Sequence, residues 1–199
     1  MNLRTPQRDV FIVGGGPAGL AAAIAARQNG LRATVADSLR PPIDKACGEG
    51  LMPDAVAALQ ALGVSFSSGE AVPFRGIRFL DGCSGLSTEA QFPQGVGLAV
   101  RRTTLHGRLS ERAAEVGAVI RWGAHVRMLD QDKLFCDGRE AHSDWIIGAD
   151  GLQSRVRNWA GLQPTRRKWV RSVNTASYEK QTRFGFRQHF RVAPWTDFV

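Results

Sequence analysis

Residues 9–37 read DVFIVGGGPAGLAAAIAARQNGLRATVAD, and this stretch decides the fold. DVFIV at 9–13 is a short apolar run rich in β-branched residues, the pattern of a buried strand. It runs into GGGPAG, where Gly14, Gly16 and Gly19 fit G-x-G-x-x-G. Pro17 falls at the expected helix start, where its missing N–H costs nothing. LAAAIAARQNG is a strong helix former that stops at Gly30, and RATVAD reads as a second strand closed by Asp37.

Each part of this unit has a mechanical reason. Gly14 permits the tight turn out of the strand, Gly16 lets backbone approach a pyrophosphate, and Gly19 lets the helix pack close to the sheet. The helix N-terminus offers free N–H groups and a positive dipole to phosphates. Asp37 is placed to accept hydrogen bonds from a ribose hydroxyl, and an acid there argues against a 2′-phosphate. A dinucleotide is therefore expected, with FAD and NAD both open and NADP disfavoured at this site.

The totals set the frame. A length of 199 residues suits one domain, or one domain and part of another. Hydrophobic residues at 43% and charged residues at 22% are globular values. No apolar run reaches bilayer length, and MNLRTPQRDV lacks the apolar core of a secretory leader. Cys47, Cys83 and Cys136 form neither a CxxC pair nor a disulfide framework, so no metal site and a reduced, cytoplasmic setting are expected. The net charge is +8, with Arg155, Arg157, Arg166, Arg167, Lys168 and Arg171 late in the chain. No stacking motif or recognition-helix signature accompanies that charge, so nucleic acid is not the expected partner. A solvated face, and arginines turned to an anionic cofactor, account for it.

A second cluster, RPPIDKACGEGLMP, covers residues 40–53. Its glycines suggest backbone passing close to a ligand. Cys47 reads either as a small packing residue or as a thiol near a reacting centre. Pro53 then opens a helix with Val56, Leu59 and Leu62 on its apolar face. Residues 74–92 read as a β-hairpin, and 101–117 as an amphipathic helix ending at Gly117. His106 lies on that helix and reads as surface or core rather than catalytic. AVIRW and HVRML read as strands. KLFCDGREAHSDWIIGAD reads as a second hairpin, with arms 134–136 and 144–149 and Asp137-Gly138 at the turn. WIIGADGLQSRVR reads as a buried strand ending at Asp150, then a short helix. Asp150 reads either as a ligand contact at a strand end or as a helix cap. The alternation in residues 183–191, RFGFRQHFR, predicts a half-buried strand with Phe184, Phe186 and Phe190 on one face.

Taken in order, IVGGGPAGLAAAIAARQNG, CGEGLMP, RRTTLHGRL and IIGADGLQSRVR resemble the N-terminal half of the FAD-dependent p-hydroxybenzoate-hydroxylase-like superfamily. That group includes aromatic monooxygenases, halogenases and geranylgeranyl reductases; CGEGLMP leans toward the reductase-like branch. The resemblance implies an α/β fold, a Rossmann-like three-layer FAD/NAD(P)-binding domain with part of a β-sheet substrate domain. It implies a discontinuous FAD-binding domain at 1–72 and 98–163, and a partial, truncated substrate sheet at 73–97 and 164–199 that includes the terminal strand. Gly14, Gly16, Pro17, Ala18 and Gly19 would hold the FAD pyrophosphate. Asp37, where the family more often has Glu, would bind the adenosine ribose. Arg102, in an R-x-x-L pattern with Leu105, would contact the phosphate or ribityl region, and Val126 the adenine through its backbone. Asp150 and Gly151 would meet FAD and pyridine nucleotide. Cys47, Gly48, Glu49 and Gly50 would lie near the isoalloxazine.

The implied activity is an FAD-dependent oxidoreductase, its flavin reduced by NAD(P)H before hydroxylation or alkene reduction of a small-molecule substrate. The alternative is a non-catalytic flavin-binding fragment, or a chain needing a missing C-terminal half or partner chain.

Overall fold

A computed structural model describes residues 9–129, 133–162, 185–193 and 195–199. The first half runs β1 (Asp9–Val13), α1 (Pro17–Gln28), β2 (Arg32–Asp37), β3 (Gly50–Leu51), α2 (Pro53–Ala61), β4 (Ala71–Phe74), β5 (Gly76–Leu80), β6 (Ser87–Gln91) and β7 (Gly97–Val100). The second runs α3 (Arg102–Glu115), β8 (Val119–Trp122), β9 (Val126–Leu129), β10 (Lys133–Cys136), β11 (Arg139–Glu140), β12 (Trp145–Gly148) and α4 (Arg155–Trp159).

The central sheet is parallel, in the order β12-β1-β2-β8. The pleat of β1 sends alternate side chains to opposite faces. Val10 and Ile12 pack with Leu20, Ala23 and Ile24 of α1 and Leu109 and Ala113 of α3. Phe11 and Val13 face the other way, onto Ala124, Val126, Leu134 and Cys136. That second layer is an antiparallel meander, β11-β10-β9. The result is an α/β three-layer domain: helices, parallel sheet, meander. An antiparallel sheet β3-β7-β4 and the antiparallel hairpin β5-β6 form two further sheets.

Helix ends are closed by arginines from elsewhere in the chain. Arg27 donates from Nε to Val116 O at 2.8 Å, beyond α3, and from Nη1 to Leu31 O at 3.0 Å. Arg112 donates from Nε to Leu62 O at 3.0 Å, at the end of α2. These cations satisfy carbonyls that a helix leaves without partners. Among the described residues, no helix is long and apolar enough to cross a membrane.

Three expectations change. The turn at Asp137-Gly138 is real, with both residues at positive φ (52° and 76°), as a two-residue hairpin turn requires. Its second arm, however, is β11, and residues 145–148 pair with β1 instead. β12 is also not a buried strand. It is the sheet edge, and Trp145, Ile146 and Ile147 are 37–43% exposed.

The predicted terminal strand is absent from its described part, residues 185–191. Phe186 and Phe190 are 94% and 71% exposed, and Arg187 and His189 turn instead to acids at positions 44 and 49. Strand-like pairing comes later: Arg75 N–H donates to Asp197 O and Arg78 N–H to Val199 O, both at 2.8 Å, so residues 197–199 run beside β5. The basic positions 166–168 and 171 lie outside the described residues.

Among the described glycines, the least room for a side chain is at Gly19, in the first turn of α1, just after β1. A Cβ at Gly19 would stand 1.8 Å from Gly14 O. Gly19→Ala must therefore separate strand from helix, and we expect it to destabilise the fold by at least about 3 kcal/mol, the upper range for overpacking. Gly30→Ala is the control. Gly30 has a φ of +78° and no atom within 4 Å of a new Cβ, so its cost is only the left-handed penalty of roughly 1–2 kcal/mol. Denaturant midpoints of the two variants check the difference.

Candidate functional site

The carboxyl ends of β1, β2 and β12 converge, and the loops leaving them wall a cavity of about 440 Å³. Ligands of open α/β sheets bind in such a crevice. Of the residues predicted from sequence, Gly14, Gly16, Pro17, Ala18, Asp37, Arg102, Val126, Asp150 and Gly151 line it. Gly19 does not; it sits one turn into α1 against the carbonyl of Gly14. Cys47, Gly48, Glu49 and Gly50 also lie outside the lining, although Lys45 of the same loop is part of it.

The glycines of the first loop differ in what they meet. A Cβ at Gly14 would stand 2.3 Å from Ala149 O, and one at Gly15 2.3 Å from the Trp122 ring, so protein packing excludes side chains there. At Gly16 the nearest atom would be Arg102 Nη2 at 3.9 Å. Gly16 also has an ordinary extended backbone, φ −72° and ψ 178°. Neither strain nor packing within the protein demands a glycine at 16, which leaves close approach of a ligand as the physical reason. Gly16 is the N-cap of α1 and supplies no side-chain cap, so the first turn keeps donors free. Across from it, the Nε of Arg102 is buried without a hydrogen-bond partner among the described residues. A buried, orphaned guanidinium N–H beside an uncapped helix N-terminus fits an anionic group such as a pyrophosphate.

The acids around this site face inward, onto backbone amides. Asp37 accepts from Gly15 N–H at 2.7 Å through one oxygen and from Leu39 N–H at 2.8 Å through the other. Asp150 accepts from the Ser154 hydroxyl and from the N–H groups of Arg155 (2.6 Å) and Val156 (3.2 Å). Ser154 is the N-cap of α4 and accepts from Arg157 N–H at 2.9 Å. Asp150 therefore braces the helix start, although Ser154 and not Asp150 is the N-cap, and it borders the cavity. Burial alone would raise its pKa, but the Ser154 hydroxyl and the two amides outweigh burial and hold it below the usual 3.8.

Glu49 is the brace of the second cluster. It adopts φ +55°, in the left-handed region that side chains rarely visit. Oε1 accepts from Arg102 N–H at 2.7 Å and from Arg187 Nη1 at 2.9 Å, while Oε2 meets His189 Nε2 at 2.6 Å. Burial works to raise its pKa; the Arg102 amide, His189 and Arg187 together hold it below the usual 4.5. The loop thus reaches the cavity through the residue that begins α3. Cys47 is exposed, and Cys136 is buried under the sheet, where burial pushes its thiol pKa up.

Two residues of this neighbourhood escape sequence reasoning. His106 is buried and bonds to the glycine loop, and Trp122 packs on the same loop. Neither carries a motif; only the helical offset of four from Arg102 places His106 on the same face of α3. A second cavity, about 470 Å³, lies at the opposite ends of the strands beside Asp9, Arg27 and Arg32. Its arginines are already engaged, Arg27 with carbonyls and Arg32 with Asp9.

Comparison with known proteins identifies the family. A family described as "FAD binding domain" matches residues 7–185. The menaquinone reductase of Mycolicibacterium smegmatis is 34% identical over 186 residues, covering 87% of this chain and 42% of that protein. Digeranylgeranylglycerophospholipid reductase 1 of Methanopyrus kandleri is 32% identical, covering 78% and 43%. Among solved structures, 2-methyl-3-hydroxypyridine-5-carboxylic acid oxygenase superposes with a TM-score of 0.66 at 26% identity, over 79% of this chain and 43% of that one. The chain spans less than half the length of the curated relatives it matches. Matched over most of its own length, the chain belongs to the FAD-binding-domain family, within the p-hydroxybenzoate-hydroxylase-like oxidoreductase superfamily.

Proposed function

We propose that this chain forms the FAD-binding part of an FAD-dependent oxidoreductase that takes reducing equivalents from NAD(P)H and acts on a small organic substrate. The observation that carries this reading is the anion site: the open backbone at Gly16, the uncapped start of α1 and the orphaned Nε of Arg102. Backbone of Gly16 and Ala18 would hold the pyrophosphate, with Gly14 and Pro17 shaping the turn and Arg102 opposing it; the N–H of Gly14 is already given to Ala36 O. Each oxygen of Asp37 already accepts one N–H, and a carboxylate oxygen has room for a second donor, so Asp37 can also take a ribose hydroxyl. Val126 would border the adenine through its backbone. Asp150 and Gly151 would border the flavin side, with the Cys47–Gly50 loop near the isoalloxazine. FAD, when bound, would accept a hydride from the nicotinamide and pass the two electrons on, to O₂ or, as hydride, to an alkene. The chain's own residues bind and orient it, and Glu49 ties the loop to Arg102.

Reduction is the reading we favour over hydroxylation, because the relatives matched over 83–87% of this chain are named menaquinone reductases, whereas those named hydroxylases or monooxygenases match over 74–77% of it. A prenyl alkene is the corresponding substrate class. Completion of the substrate pocket by a further segment or a separate chain is part of the proposal, since the two reductases reported above are covered over 42% and 43% of their length.

Titration of the purified chain with FAD tests the reading: we expect saturable binding with a perturbed visible flavin band, and a flat titration would sink it. Arg102→Ala should weaken FAD by about 10- to 100-fold, the worth of one charge-assisted hydrogen bond. An unchanged affinity would remove Arg102 from the anion site. Stability should also depend on acid. Asp150 and Glu49 are depressed in the folded state, so their contribution is full above their ordinary values of 3.8 and 4.5 and is lost as pH falls through the lower folded values. Asp150→Asn should cost about 1 kcal/mol at pH 7, as a lost cap does, and flatten the acid limb. Denaturation midpoints followed from neutral pH into the acid range read both effects.

A further inference from the structure

An imidazole withdrawn from water must find a partner or pay for its absence. His106 is 2% exposed, one of two buried polar residues among those described. Its Nε2 lies 2.9 Å from the carbonyl oxygen of Gly15. A carbonyl can only accept, so Nε2 carries the hydrogen and donates it. Burial, only partly opposed by that carbonyl, pushes the His106 pKa down and keeps the ring neutral near pH 7.

Residue 15 is held from three sides by three elements. Asp37, at the end of β2, accepts its N–H at 2.7 Å. His106, from α3, donates to its carbonyl. Trp122, at the end of β8, fills the space a side chain would need and lies 5.5 Å from the His106 ring, centroid to centroid. The peptide between residues 15 and 16 is trans, so its C=O and N–H point in opposite directions. Fixing the Gly15 carbonyl on His106 therefore turns the Gly16 N–H to the opposite side of the peptide, away from the imidazole. Were this peptide to rotate, a carbonyl oxygen would replace an amide hydrogen on the face that meets the anion. Gly16 is also the one glycine of the loop whose backbone stands open to a ligand.

We propose that His106 is a positioning residue: its bond to Gly15 sets the 15–16 peptide so that the Gly16 N–H is presented to a dinucleotide pyrophosphate. The proposal rests on the FAD-binding reading above for its ligand, and on the hydrogen bond alone for its geometry.

The test uses the 199-residue chain, as wild type, His106→Leu and His106→Gln. Gln places an amide N–H where Nε2 stands; Leu keeps bulk without a donor. In the flavin-free protein, the imidazole ¹⁵N spectrum should show the Nε2–H tautomer for His106. His106→Leu should shift the Gly16 amide signal and speed hydrogen exchange of the neighbouring Gly15 N–H, held by Asp37, at least tenfold. It should weaken FAD at least tenfold, while His106→Gln stays within about threefold of wild type.

The Nδ1–H tautomer in wild type would overturn the proposal even if the Leu variant failed to fold. So would an unchanged Gly16 amide and FAD affinity in His106→Leu. Equal losses of affinity and thermal midpoint in both variants would reduce His106 to packing and overturn it as well. A wild-type chain that binds no FAD would sink the functional reading and the ligand named here, while the imidazole and Gly16 signals would still judge the hydrogen bond by themselves.

Discussion

Backbone-to-backbone contact at the carboxyl end of β1 is the constraint on which this domain rests. Gly14 N–H donates to Ala36 O at 2.8 Å, and Ala149 N–H donates to Val13 O at 2.7 Å. A Cβ at Gly14 would strike Ala149 O, and one at Gly19 would strike Gly14 O. Three strand ends and the first turn of α1 thus meet with no side chain between them. Such closeness has two consequences. The helix axis is pressed onto the sheet, so the small residues Ala23 and Ala113 let α1 and α3 share one core with Val10 and Ile12. And the loops leaving the three strands have nowhere to go but outward, which makes the crevice.

The electrostatics of the crevice follow from how its acids are spent. Asp37, Glu49 and Asp150 each carry a negative charge close to the cavity, yet each turns it onto amides at the start of a loop or helix. A carboxylate bonded to backbone N–H groups braces the main chain and is itself stabilised in ionised form. Among the described residues, the donors left for a ligand are the first turn of α1 and the Nε of Arg102, with Lys45 and Arg155 also on the lining. Negative charge serves the scaffold, and positive potential is left for the ligand.

Much of this was legible in the sequence, and the boundary of legibility is physical. The unit from Asp9 to Asp37 reads correctly because every signal in it is local: a β-branched run, a glycine turn, an alanine-rich helix and a closing acid. The amphipathic stretch that becomes α3 and the Asp137-Gly138 turn read correctly for the same reason. The second hairpin arm failed because β12 finds its partner in β1, more than 130 residues earlier, and local spacing carries no record of that. His106 was visible only as a residue on a helix; the carbonyl it serves lies 91 positions away. Trp122 likewise acquires meaning only where β8 ends beside the glycine loop.

The failed terminal strand shows how alternation can mislead. Residues 185–191 alternate Phe with Arg and His, and a strand would bury the first set and expose the second. Here the order is reversed: the aromatic rings stand in solvent while Arg187 and His189 are drawn onto Glu49, with Arg187 also reaching Asp44 at 2.6 Å. Exposed ion pairs contribute little to stability, but Glu49 is largely sheltered and also holds the first amide of α3. A desolvated carboxylate with three donors is worth more than a surface pair, and leaving it short of donors costs more still. Glu49 is therefore a joint between three parts of the chain: the Cys47–Gly50 loop, the Arg102 end of α3 and the segment around residue 187. The setting of Cys47 is decided by that joint, by residues some 50 and 140 positions downstream. The shape of the second glycine cluster is thus a property of the assembled domain, whereas the first, though packed against Ala149, His106 and Trp122, announces itself in its own thirty residues.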